Sequence, residues 1–235
     1  MTISRAEPND ASEAPPRQES VPAAACIRSI RFAAYYAYSP SGRDPASRRS
    51  RSLCAAIKAG DPLQLARCIE ELRACGEQRP DLRRSFGERA LLVPVPASAP
   101  RASTLPDSAQ RIAAALFHAG FGGGVRPLLL RQSAVRKSAT APAGARPTVA
   151  QHYASFEIAD PALAGVDEIV LIDDVVTRGR TLLAAACRLR TVFPQARIGA
   201  FTLMRTMGFV AGVADLVDPC IGEIRWRRGD AVREP

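Results

Sequence analysis

The sequence predicts an α/β fold, a doubly wound and mainly parallel sheet carrying a small hood. Three observations predict it. Apolar runs of strand length alternate with segments of helical periodicity along most of the chain. One run, Ile169-Val170-Leu171-Ile172, is continuously apolar, as strands covered on both faces are. Two carboxylates and a short Thr/Gly turn follow it at once and lead into a helix, and ligands of open α/β sheets bind outside the carboxyl ends of the strands. With 235 residues and 47% hydrophobic side chains, the chain can bury a sizeable core.

The elements follow in order. Residues 1–25 are polar and Pro-rich, without an apolar signal core, and read as a disordered tail. Residues 26–88 form the hood region, a strand followed by two helices. In the strand, 30–38, apolar and small residues alternate; the helices, 48–59 and 62–75, meet at Gly60-Asp61. Pro62 suits the first turn of the second helix. Residues 89–207 form the core. It begins with a strand over 89–95, stopped by Pro94 and Pro96, and a helix over 106–119 that ends at Gly120. A Gly122-Gly123-Gly124 connector leads to a strand over 125–131. Residues 132–146 have no acidic side chain and no periodicity, and loops of that length in compact domains are functional or disordered. A short helix near 147–153 and a strand near 154–158 precede the apolar run; a helix over 181–192 and a strand over 197–204 follow it. Residues 208–235 are a C-terminal extension with no assigned pattern.

Composition narrows the function classes. No run of 18 apolar residues exists, so no membrane span is expected. The net charge is +9, carried almost wholly by Arg, with Lys58 and Lys137 the two lysines; such a chain attracts polyanions, nucleic acid or diphosphate alike. The six cysteines show no CxxC spacing, which argues against zinc and for free thiols in a reducing, cytoplasmic setting. His118 and His152, the two histidines, receive no role.

The chemistry concentrates between Ile169 and Thr181. Asp173 and Asp174, acceptors when ionised, match the vicinal hydroxyls of a ribose. Thr177, Arg178, Gly179, Arg180 and Thr181 suit its 5-phosphate. Gly179 lets the backbone close around an anion, the two hydroxyls add donors, and the helix start supplies N–H groups. The competing reading is a plain turn in which the aspartates cap the helix. Two further segments are candidates. In the turn after residue 95, Ala97, Ser98 and Ala99 are small enough for close backbone approach to an anion, and Arg101 could add a charge-assisted bond. In the acid-free loop, Arg136 and Lys137 could close as a lid over a departing anion. Trp226 among Arg225, Arg227 and Arg228 reads as edge packing, with base stacking as the alternative.

An apolar strand, an acidic pair, two apolar residues and Thr-x-Gly-x-Thr before a helix resemble the fingerprint of type I phosphoribosyltransferases. Those enzymes bind 5-phosphoribosyl 1-diphosphate (PRPP), with Mg²⁺ held mainly by the ligand. Arg178 resembles the amidophosphoribosyltransferase version, without the glutaminase domain. Thr177 stands where 6-oxopurine transferases carry an Asp, which argues against those bases. More widely, the segments 32–72, 92–96 and 129–156 resemble the ComF group. The N-terminal four-cysteine zinc module of that group is missing, and residues 101–110 replace its usual segment after the Pro-Val-Pro strand. The resemblance implies a backbone diphosphate site in the turn at 97–101. It also implies a hood, formed by 39–72 or the C-terminal tail, that selects an unidentified acceptor. The expectation is Mg²⁺-dependent phosphoribosyl transfer from PRPP, with no general base assigned. The alternatives are a non-catalytic PRPP- or nucleotide-binding regulatory module and a ComF-like accessory in DNA uptake. Oligomeric state, a homodimer included, is left open.

Overall fold

A computed structural model describes residues 20–100, 105–135, 146–208, 210 and 212–235. Its centre is a seven-stranded sheet in the order β3-β2-β6-β7-β1-β8-β9. Those strands are β1 (Ser29–Tyr38), β2 (Leu91–Pro94), β3 (Gly124–Val125), β6 (Glu168–Val176), β7 (Arg197–Thr206), β8 (Val217–Arg227) and β9 (Asp230–Glu234). The first five run parallel; β8 pairs antiparallel with β1 and β9 with β8. A separate antiparallel pair joins β4 (Leu129–Arg131) to β5 (Phe156–Ile158).

Side chains on successive strand residues point to opposite faces, so a strand covered on both sides must be apolar throughout. β6 shows this directly: Ile169 and Leu171 enter one core cluster, Val170 and Ile172 the other. The second cluster is covered by α1 (Pro45–Ala59), α2 (Pro62–Gln78), α3 (Pro80–Arg84) and α4 (Ser108–His118). Phe86 lies at its centre, 4.6 Å between ring centroids from both Phe121 and Phe201. The first cluster is covered by α5 (Val149–Ala154) and α6 (Arg180–Arg190). The sheet is therefore α/β, mostly parallel and flanked by helices on both faces.

Helix starts follow the local chemistry. Asp44, Asp61, Asp107 and Thr148 accept hydrogen bonds from the first-turn N–H groups of α1, α2, α4 and α5. The last two form complete capping boxes with Gln110 and Gln151. α6 differs: its N-cap is Gly179, at φ 83°, with no side-chain cap.

The structure departs from the sequence expectations at five places. The expected tail over 1–25 lies outside the described residues up to 19. Residues 23–25 form a 3-10 turn whose Ala25 is buried in the first cluster. β1, expected in the hood, sits inside the central sheet between β7 and β8, because its alternation is apolar on both faces. The expected strand over 125–131 divides, since Pro127 breaks the pairing: Gly124–Val125 stays with β2 and Leu129–Arg131 leaves for β5. The hood region, expected to hold two helices, contains a third, α3, with Pro80 at its first turn. The expected C-terminal extension contains a hairpin, β8 and β9, that completes the sheet. Among the described residues, no helix is long and apolar enough to cross a membrane.

Candidate functional site

The parallel strands β2 and β6 end side by side, and the turns that follow them face one cleft of about 660 Å³. Its lining includes Lys58 from α1, Ala97 and Ser98 after β2, Ser108 from α4, Arg131 from β4, His152 from α5, Asp173 and Asp174 from β6, and Thr177 and Thr181. A smaller recess of about 80 Å³ is wrapped by residues 175–182 with Asp173 and Arg146, so the two spaces share their acidic edge.

Asp173 and Asp174 do not follow the strand; β6 continues through them to Val176, paired with β7. Both residues line the cleft. The two are not equivalent. Asp174 accepts a 2.8 Å hydrogen bond from Ser108 Oγ and faces Lys58 Nζ at 3.8 Å. Asp173 accepts from the backbone N–H of Asp174 at 2.8 Å. Burial, and then the neighbouring Asp174 charge, push its carboxyl well above the usual range. Burial lowers the Lys58 ammonium, but the surrounding anions, Asp174 foremost, outweigh it and leave it raised. Neither aspartate caps α6, whose N-cap is Gly179, so the plain-cap reading does not describe this turn.

The turn from Thr177 to Thr181 works mainly through its backbone. Gly179 brings no side-chain cap to the first N–H groups of α6, and residues 179–182 line the recess. A Cβ on Gly179 would come within 2.6 Å of Ile224 Cδ1, so the glycine is required on the core side of the turn as well as by its φ. Thr177 Oγ1 lies 3.3 Å from Thr206 Oγ1, and Thr181 Oγ1 lies 3.4 Å from His152 Nε2. The two arginines divide. The Arg180 guanidinium is engaged by both carboxylate oxygens of Asp230 and by the carbonyls of Arg146 and Pro147, which tie α6 to β9. What Arg180 offers the recess is its backbone. Arg178 is more exposed and stands 3.7 Å from Asp230.

His152 is 3% exposed, and burial, followed by the charges of Arg131 and Arg180, lowers it to about 4. It is neutral at pH 7, and its Nδ1 has no hydrogen-bond partner among the described residues. A proton on Nε2 then donates to Thr181 Oγ1, leaving the threonine hydroxyl hydrogen for a ligand in the recess.

Of the other expected contacts, Ala97, Ser98 and Ala99 form the turn after β2, and the first two line the cleft. Arg101, Arg136 and Lys137 lie outside the described residues. The loop containing the last two is anchored at its start: Val135 N–H donates to Ser98 O at 2.8 Å. Around Trp226, which packs against the first core cluster, Arg225 pairs with Glu223 and Glu234, and Arg227 with Glu234. Those pairs engage two of the three arginines around the ring.

Sequence reasoning missed Lys58, Ser108 and Arg131 and gave His152 no role. Lys58 carried a signal, as one of two lysines in an Arg-rich chain; the others enter only through chain crossing. No family model matches this chain, and no curated protein matches it.

Proposed function

We propose that the protein binds PRPP and transfers its phosphoribosyl group to an acceptor, with a fold of the type I phosphoribosyltransferase kind. One observation carries the reading. A parallel strand that carries an acidic pair is joined by residues 177–179 to a helix with no side-chain cap, and a recess opens beside them. Vicinal hydroxyl acceptors and anion donors at that separation suit a ribose 5-phosphate.

In this reading the 5-phosphate accepts from the first N–H groups of α6 and from the Thr177 and Thr181 hydroxyls, and the helix dipole adds to the attraction. Asp173 and Asp174 accept from the ribose hydroxyls and stabilise positive charge as C1 becomes cation-like. The bond from C1 to the diphosphate oxygen breaks, and its electron pair leaves with the diphosphate. The acceptor supplies the pair for the new bond and then loses its proton. Catalysis here is positioning and electrostatics.

The donor set is compatible with Mg²⁺ in one mode. No cluster of three or more metal-ligating side chains occurs among the described residues, so the protein alone offers no complete cage. Mg²⁺ is commonly held by one or two carboxylates together with ligand phosphates. A divalent cation would also relieve the repulsion felt at Asp173. Asp173 and Asp174 would hold it, directly or through the ribose hydroxyls, and it would neutralise charge on the leaving diphosphate.

The test is calorimetry on the full chain with PRPP, ribose 5-phosphate and diphosphate, each with Mg²⁺, followed by diphosphate release with an acceptor library. Binding of PRPP more tightly than ribose 5-phosphate is expected. Absence of binding by both in a folded sample overturns the reading. Binding of PRPP without turnover, across the library, assigns the protein to regulation instead.

A further inference from the structure

We propose that Arg131 is the positioning residue of the diphosphate side of this cleft: its guanidinium holds the carbonyls of the turn after β2 so that the turn's N–H groups are presented to an anion. The inference deepens the phosphoribosyl reading and rests on it.

Arg131 ends β4, outside the central sheet, and reaches under the turn that follows β2. Its Nε donates to Ala97 O at 3.0 Å, Nη2 donates to Pro96 O at 3.2 Å, and Nη1 donates to Ser155 Oγ. The guanidinium carbon lies 4.0 Å from the centroid of the Phe156 ring, so a planar contact fixes the fork as well. The next carbonyl, Ser98 O, is taken by Val135 N–H. Three successive carbonyls of the turn are thus held by one side of the molecule.

A trans peptide carries its N–H and C=O on opposite sides, and no cis peptide bond occurs among the described residues. Binding the carbonyls of Pro96, Ala97 and Ser98 therefore turns the N–H groups of Ala97, Ser98 and Ala99 the other way. The Ala97 and Ser98 N–H groups have no acceptor among the described residues, and both residues line the cleft. Successive N–H groups aimed into one concavity form an anion site.

Charge points the same way. Arg131 is 8% exposed and makes no ion pair among the described residues, unlike Arg180, which has Asp230. A buried guanidinium without a carboxylate is costly, and an anion in the cleft offsets the cost. Burial lowers Arg131 to about 10 against the attraction of Asp173, so the nearby carboxylate does not offset its desolvation.

The test uses the full chain and three ligands with Mg²⁺: ribose 5-phosphate, inorganic diphosphate and PRPP. Arg131→Lys keeps a charge and a stem but loses the fork. It should leave ribose 5-phosphate affinity within twofold while weakening diphosphate and PRPP at least tenfold. Ser155→Ala, which frees one arm of the fork, should act in the same direction by several-fold. In ¹⁵N-labelled wild-type protein, diphosphate should shift the Ala97 and Ser98 amides, a readout that survives if Arg131→Lys does not fold. Equal losses for all three ligands, or diphosphate binding without those amide shifts, overturn the inference. Wild-type binding of ribose 5-phosphate but not diphosphate sinks this inference alone. Binding of none of the three ligands sinks the phosphoribosyl reading with it.

Discussion

The turn from Thr177 to Thr181 carries its donors in one uninterrupted segment, whereas the turn from Pro96 to Ala99 takes its shape from Arg131, 34 residues beyond Ala97. In the first, a glycine and a helix start suffice to present N–H groups. The second has neither a glycine nor a helix start, and the presentation depends on a guanidinium that arrives from a separate two-stranded sheet. The comparison teaches that two turns lining one cleft can have unequal robustness. The first is a property of local chain chemistry, and the second is a property of assembly. His152 stands on the seam between them: its ring meets Thr181, and its carbonyl accepts from Ser155 Oγ, which in turn receives Arg131.

The largest effect should come from breaking the local turn. In Gly179→Val the new Cβ meets Ile224 and φ is forced positive, which together cost roughly 2–5 kcal/mol. Urea unfolding should show that loss, with ribose 5-phosphate binding lost at the same time. Unchanged stability would mean the turn is less constrained than its contacts indicate.

The seam can be tested by pH. His152 titrates near 4 in the fold and near 6.5 when unfolded, so between those values the unfolded chain binds more protons. Stability should therefore rise with pH through that window, by about 3 kcal/mol for this group alone. The Asp173 carboxyl, raised in the fold, acts in the opposite sense as pH rises through its own window, so the histidine must be isolated by difference. His152→Gln should gain on wild type as pH falls from 7 to 4 in urea titrations. A pH-independent difference between the two proteins would deny the histidine its buried neutral state.

Next come the aspartates, whose substitutions should separate stability from binding. Asp173→Asn removes a carboxyl whose charged form is opposed by burial and by Asp174. It should raise the melting temperature at pH 7 while weakening PRPP by about 1.5–3 kcal/mol. Asp174→Asn should weaken PRPP similarly but lower stability slightly, since it gives up the contact with half-exposed Lys58. Stability changes of the same sign in both variants would erase the inequality of the pair.

The smallest effect should be Thr181→Ala, which loses one hydroxyl and should cost about 1 kcal/mol in ribose 5-phosphate affinity. Its diphosphate affinity should stay unchanged, because the diphosphate turn draws nothing from that hydroxyl. Equal weakening of both ligands, measured by calorimetry, would join the two turns into one cooperative unit.

Local pattern alone determined the buried central strand, the helix after it and the glycine turn between them. It also determined the paired helices at Gly60-Asp61, where a left-handed glycine and an Asp cap meet. These depend on apolar runs, cap chemistry and φ, which act within a few residues. The tertiary structure decided the rest. It placed β1 inside the sheet and gave Arg180 to Asp230 instead of the recess. It parted β4 from β3 and brought Arg131 beneath a turn that nothing in its own residues marks as ordered. The physical reason is that a side chain's partner across dozens of residues depends on how the strands cross. No local periodicity records which carbonyl a distant guanidinium will meet.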